Sequence, residues 1–103
     1  MMGRSFSIID FQKIAKTVIS WKEGYQLYLF GSVTRKNSFI GDLDVLIVYD
    51  PSRIVLEDLK ALRSAICTLV QNRYDLQTDF CCLTNSEARS SNFIREERAK
   101  RIL

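Results

Sequence analysis

Histidine is missing altogether from the 103 residues. Its absence removes the commonest general base, any Ser-His-Asp triad and the zinc sites that rely on imidazole. Cysteine is scarce: Cys67, Cys81 and Cys82 are an odd number with two adjacent, which is no disulfide framework. The three read as small buried apolar residues in a reducing compartment. One proline and four glycines leave no linker or low-complexity segment. No apolar run approaches the roughly 20 residues of a membrane span. Asp10 arrives before any long apolar stretch, which argues against a secretory signal, so a cytoplasmic protein is expected. The formal charge of +3 is too small to argue for a nucleic-acid partner. Any chemistry must rest on carboxylates, hydroxyls, Lys and Arg, or a hard metal ion.

The chain is long enough for one modest core, and its 47% hydrophobic and 26% charged residues are ordinary for a globular domain. A single domain over residues 1–103 is therefore expected. Residues 8–22 carry Phe11, Ile14, Ala15 and Val18 at helical spacing, with Gly24 placed to end the helix. The aromatic-rich run 25–30 reads as a strand, ended by Gly31. Residues 32–36 suit one helical turn capped by Ser32, and 37–41 a loop. Residues 42–49 are nearly continuous in Leu, Val and Ile, which predicts a central strand. Asp50-Pro51-Ser52 is turn chemistry. A helix over 54–72 follows from the stripe Leu59, Leu62, Ile66, Leu69 and Val70. Residues 76–83 read as a third strand, and Asn85 or Ser86 is placed to cap a final basic helix reaching about residue 101. The order predicts an α/β (α+β) domain with a sheet of about three strands packed with helices.

Within this pattern the carboxylates are out of place. Asp42 and Asp44 stand at the start of an apolar strand, and side chains two apart share a face. Like charges that close repel, and a hard divalent ion such as Mg²⁺ or Mn²⁺ relieves the conflict. Asp79 interrupts a later strand in the same way. Gly31 lets backbone approach a phosphate, Ser32 offers a hydroxyl and an N–H, and Arg35 and Lys36 can neutralise phosphate charge.

The sequence Gly31-Ser32, nine residues, then Asp42-Leu43-Asp44, with Asp79 on a later strand, resembles the signature of the polymerase-β-like nucleotidyltransferase superfamily. In size and order the chain is similar to its minimal members, and the resemblance spans about residues 8–85. It implies a nucleotidyltransferase fold with a small mixed sheet. It also implies that Asp42, Asp44 and Asp79 ligate Mg²⁺ or Mn²⁺, that Asp79 helps deprotonate an acceptor hydroxyl, and that Gly31, Ser32, Arg35 and Lys36 bind the nucleotide. The implied reaction transfers AMP from ATP. The family often has glycine where Lys36 stands and ten residues where this loop has nine. With no second domain before the chain stops at Leu103, one side of the cleft is left open. The expected functional unit is accordingly an assembly, with a small helical HEPN-like toxin for which this chain is the antitoxin, or a homo-oligomer. The contrasting expectation is a non-catalytic module of the same fold that covers a partner protein.

Overall fold

The structure, a computed structural model, describes residues 6–18, 24–31 and 42–102. Its elements in chain order are α1 (Ile8–Val18), β1 (Tyr25–Phe30), β2 (Asp42–Tyr49), α2 (Leu56–Tyr74), β3 (Gln77–Thr84), α3 (Asn85–Ser91), α4 (Phe93–Glu96) and β4 (Lys100–Arg101). Together they make an α+β arrangement around a four-stranded mixed sheet of order β3-β2-β1-β4. β1 runs antiparallel to β2 and β4, whereas β2 and β3 are parallel and joined through α2.

The sheet is covered on both faces, which explains the continuous apolar run of β2. On one face Leu27, Leu29, Leu43, Val45 and Ile47 pack against Phe11, Ile14 and Ala15 of α1 and Leu59, Leu62, Ile66 and Val70 of α2. Each large side chain in this layer contributes roughly 1.5–3 kcal/mol by leaving water. On the other face Tyr28, Leu46 and Val48 meet Ala88 of α3, with Phe93, Ile94 and Ala99 packed around them. Phe93 stands edge-on to Phe30 of β1, ring centroids 5.1 Å apart.

Local chemistry sets the helix ends. Ser7 and Asp10 exchange hydrogen bonds at the start of α1, where the Ser7 N–H donates to Asp10 Oδ2 at 2.9 Å and the Asp10 N–H to Ser7 Oγ at 3.3 Å. α2 begins two residues later than expected, because Val55 at its N-cap has no polar side chain and Asp58 Oδ2 accepts the Val55 N–H instead, at 3.4 Å. It ends at Asp75, whose φ of 55° is left-handed.

The C-terminal region departs from the expected single helix. Thr84, not Asn85 or Ser86, caps α3: its Oγ1 accepts the Glu87 N–H at 3.1 Å while Glu87 Oε1 accepts the Thr84 N–H at 2.8 Å. The helix stops at once, since Ser90, Ser91 and Asn92 are weak helix formers and Asn92 takes φ 60°. After the single turn of α4 the chain turns again at Arg98, φ 52°, and returns as β4 beside β1. Arg95, Arg98, Lys100 and Arg101 are all exposed, as charge patterning requires, but they do not form one helix face. β4 is the strand the sequence reading lacks, and at two residues it is too short to leave a pattern. The cysteines also differ from expectation: Cys67 is exposed on α2, and Cys81 and Cys82 are half-buried on opposite faces of β3. Burial and the neighbouring Cys82 and Glu87 push the Cys81 thiol upward.

The Thr84 box ties α3 to the end of β3, and Thr84→Ala is expected to cost about 1 kcal/mol. Chemical denaturation reads this directly, as a lower midpoint at unchanged slope. A midpoint equal to the parent would mean that packing by Ala88 alone holds α3.

Candidate active site

One end of the sheet brings the candidate residues together. The C-terminal end of β1 and the N-terminal ends of β2 and β3 meet there, so Phe30 is the cross-strand partner of Asp44, and Asp44 is the register partner of Asp79. Asp42, two residues earlier, lies beside Gln77. Register partners and residues two apart share a face. Asp42, Asp44 and Asp79 therefore stand on the same face, the one that carries Tyr28, Leu46 and α3, away from α1 and α2. Asp42 and Asp79 are exposed and Asp44 is half-buried. The row reads Phe30, Asp44, Asp79 across three strands about 4.8 Å apart.

Gly31 closes the row from the β1 side. Its φ is +76°, and a Cβ built there would overlap Asp44 Oδ2 and lie 3.2 Å from Asp44 Cγ. The glycine thus does two things: it turns the chain out of β1 and it leaves the space that the Asp44 carboxylate fills. Ser32, Arg35, Lys36 and the expected helical turn and loop between β1 and β2 lie outside the described residues, as do the last turn of the helix expected to reach residue 22 and Trp21.

The donor set is all carboxylate, which matches a hard oxygen-seeking cation. Among the described residues, however, no group of three or more acidic or cysteine side chains is gathered closely enough to hold an ion. Three like charges on one face repel. The residues fit Mg²⁺ or Mn²⁺ in type and in face, with Asp44 and Asp79 as the nearest pair.

Two residues of this end escaped the sequence reading. Gln77 lies beside Asp42 and Phe30 beside Asp44. The strand register alone reveals either one. The glycine after an aromatic strand was the visible signal for a close approach at Phe30-Gly31.

No protein-family model matches the chain, and no curated protein matches it either. A solved crystal structure of a protein provisionally assigned as a nucleotidyltransferase is similar, at 25% identity and a TM-score of 0.46, over 91% of this chain and 95% of that one.

A cavity of about 400 Å³ opens at the opposite end of the sheet from Asp42, Asp44 and Asp79, with Tyr25, Asp50 and Arg53 on its wall. Asp50 Oδ1 there accepts the Ser52 hydroxyl at 2.7 Å and the Ser52 N–H at 2.9 Å. These bonds, helped by Arg53, hold the Asp50 carboxyl below its ordinary 3.8. A depressed folded-state value means that the contribution of Asp50 to stability is present above pH 3.8 and is lost as the pH falls through the lower folded value. Ser52→Ala is expected to raise the Asp50 titration midpoint toward 3.8 in a carboxyl-carbon NMR titration. An unmoved midpoint would leave the residue-52 backbone N–H and Arg53 as the causes.

Among the described residues no helix is long and apolar enough to cross a membrane.

Proposed function

We propose that this chain is a metal-dependent nucleotidyltransferase that moves AMP from ATP to a hydroxyl acceptor. The observation that carries the reading is the meeting of Asp42, Asp44 and Asp79 on one face at one sheet end, with Gly31 fitted against Asp44. Asp42, Asp44 and Asp79 would hold Mg²⁺ or Mn²⁺, which when bound supplies charge stabilisation at the attacking and leaving oxygens. Asp79, exposed on the outermost of the three strands, accepts the proton of the acceptor hydroxyl. The acceptor oxygen bonds to the α-phosphorus, the bond to the β-phosphate bridging oxygen breaks, and pyrophosphate leaves. The Gly31 turn, with Ser32, Arg35 and Lys36 following it in sequence, binds the triphosphate. Carboxylates carry the acid–base work in a chain without histidine.

The acceptor side of the row is open at Asp79, because β3 ends the sheet among the described residues. A protein partner, with a small helical HEPN-type protein as the favoured class, would hold the acceptor there in a toxin–antitoxin pair. The second reading is a non-catalytic module of the same fold that covers such a partner. Incubation with α-labelled ATP and Mg²⁺, alone and with a small helical HEPN-type protein, separates the two. The enzyme reading expects label on the acceptor and release of pyrophosphate. Partner binding with no transfer and no ATP affinity would leave only the module.

A further inference from the structure

β3 and β2 are equally long and paired residue for residue over eight positions, yet their burial differs sharply. β2 has five buried residues, and β3 has none. Phe80, Cys81, Cys82 and Leu83 are apolar and only half-covered. Among the described residues β3 is bonded on one side alone, at the edge of the sheet. Natural edge strands are usually short or blunted by charged residues, above all lysine, by proline or by a bulge. This one has eight residues, Gln-Thr-Asp-Phe-Cys-Cys-Leu-Thr, with Asp79 as its single charge and no lysine or proline.

Beside that edge, on the α2 side, a cavity of about 240 Å³ is lined by Lys60, Arg63, Ser64, Cys67, Thr78 and Phe80. The four α2 residues follow helical spacing and form one stripe. All four are exposed, while Leu59, Leu62 and Ile66 point into the core. Neither Lys60 nor Arg63 makes an ion pair among the described residues. In the wall of the same cavity Thr78 Oγ1 is buried and, among the described residues, has no hydrogen-bond partner.

From these observations we infer that the outer edge of β3 takes up an extended acidic peptide segment of a partner protein as a further strand, whose acidic side chains on the α2 side meet Lys60 and Arg63. An added strand would satisfy the outward backbone groups of β3, and its alternate side chains would fall over the cavity beside Phe80. Charge decides the occupant. A second copy paired antiparallel through β3 would place both α2 helices on the same face and oppose their Lys60 and Arg63 stripes, which is repulsive. An acidic strand is attracted by the same stripe. The side chains on its other face approach Asp79, so the recognised pattern is acidic at alternate positions only. The Lys60–Arg63 stripe lies on the reverse face from the aspartates, while the added strand itself borders the acceptor side at Asp79; strand addition is read by the peptide whether or not nucleotide is transferred.

The probe is acetyl-TEVEVET-amide, added to the full chain and followed by amide hydrogen exchange and NMR shifts. The expected result is slowed exchange along Gln77–Thr84 with saturable shifts there. The double variant Lys60→Glu, Arg63→Glu should bind this peptide at least roughly tenfold more weakly. It should bind the reversed peptide acetyl-TKVKVKT-amide instead, a gain that an unfolded variant could not show. Equal binding of both peptides by the parent, or absence of any β3 protection, overturns the inference. So does a concentration-dependent dimer protected along β3 in the free protein, or a single-stranded oligothymidylate that binds the Lys60–Arg63 stripe in place of the peptide.

Discussion

Asp44→Asn is expected to abolish nucleotidyl transfer, by roughly 10³-fold or more, while the protein remains folded with a thermal midpoint equal to or above the parent. The two halves of that expectation have different origins. Asp44 is the central carboxylate, flanked by Asp79 in register and by Asp42 on its own strand face. Charge stabilisation by a divalent ion in such a site is worth several kcal/mol, and each 1.36 kcal/mol is about tenfold in rate. Loss of one oxygen ligand's charge therefore costs orders of magnitude in turnover. Stability moves the other way: neutralising Asp44 relieves repulsion with Asp42 and Asp79 and keeps the shape of the side chain. Titration calorimetry with ATP, with and without Mg²⁺, together with transfer of α-labelled phosphate, makes the check. Equal ATP affinity in both proteins regardless of Mg²⁺ would remove Asp44 from the site, and a large fall in thermal midpoint would recast it as structural.

The parts of the fold that were legible in the sequence are those where one local pattern had one structural cause. β1 and β2 lie where their apolar runs begin and end, since Gly24, Gly31 and Asp50 interrupt the pattern on either side. The stripe of α2 was equally plain, but its start was not, because Val55 caps without a polar side chain. The C-terminal region departs from its local pattern for a reason that lies in tertiary structure. Glu96, Glu97, Arg98 and Lys100 look helical in isolation, yet Ile102 donates its N–H to Leu27 at 2.7 Å and draws the chain into the sheet. For the site, the sequence carried the type and spacing of Asp42 and Asp44, and periodicity set their common face. Asp79 was visible as an anomaly in an apolar strand, but its place next to Asp44 depends on the length of the α2 crossover and on register, which no local pattern encodes. The second apolar layer, from Tyr28, Leu46 and Val48 to Ala88 and Phe93, was hidden for the same reason.

Gly31→Ala tests whether the meeting of β1 with Asp44 matters to chemistry as well as to folding. Two costs arise at one atom. The φ of +76° is a left-handed conformation in which a Cβ costs about 1–2 kcal/mol. The added methyl would also occupy the position of Asp44 Oδ2, so the carboxylate must rotate away or the end of β1 must shift. Neighbouring side chains hold both alternatives in check. Phe30, the residue before the turn, is pinned against Phe93 and paired with Asp44, so moving the strand end disturbs α4 as well. Rotating Asp44 toward Asp79 brings like charges closer. The expected outcome is a stability loss of about 1–3 kcal/mol and a fall in transfer of about 10²-fold, the size associated with a misplacement near 1 Å. Denaturation and turnover measured side by side separate the contributions. Gly31→Ala combined with Asp44→Gly, which empties the contested space, should recover the part of the stability due to overlap while remaining inactive. Parent-like turnover in Gly31→Ala would mean that the Asp44 carboxylate has room to move without consequence, and the close fit at the end of β1 would then be a feature of folding alone.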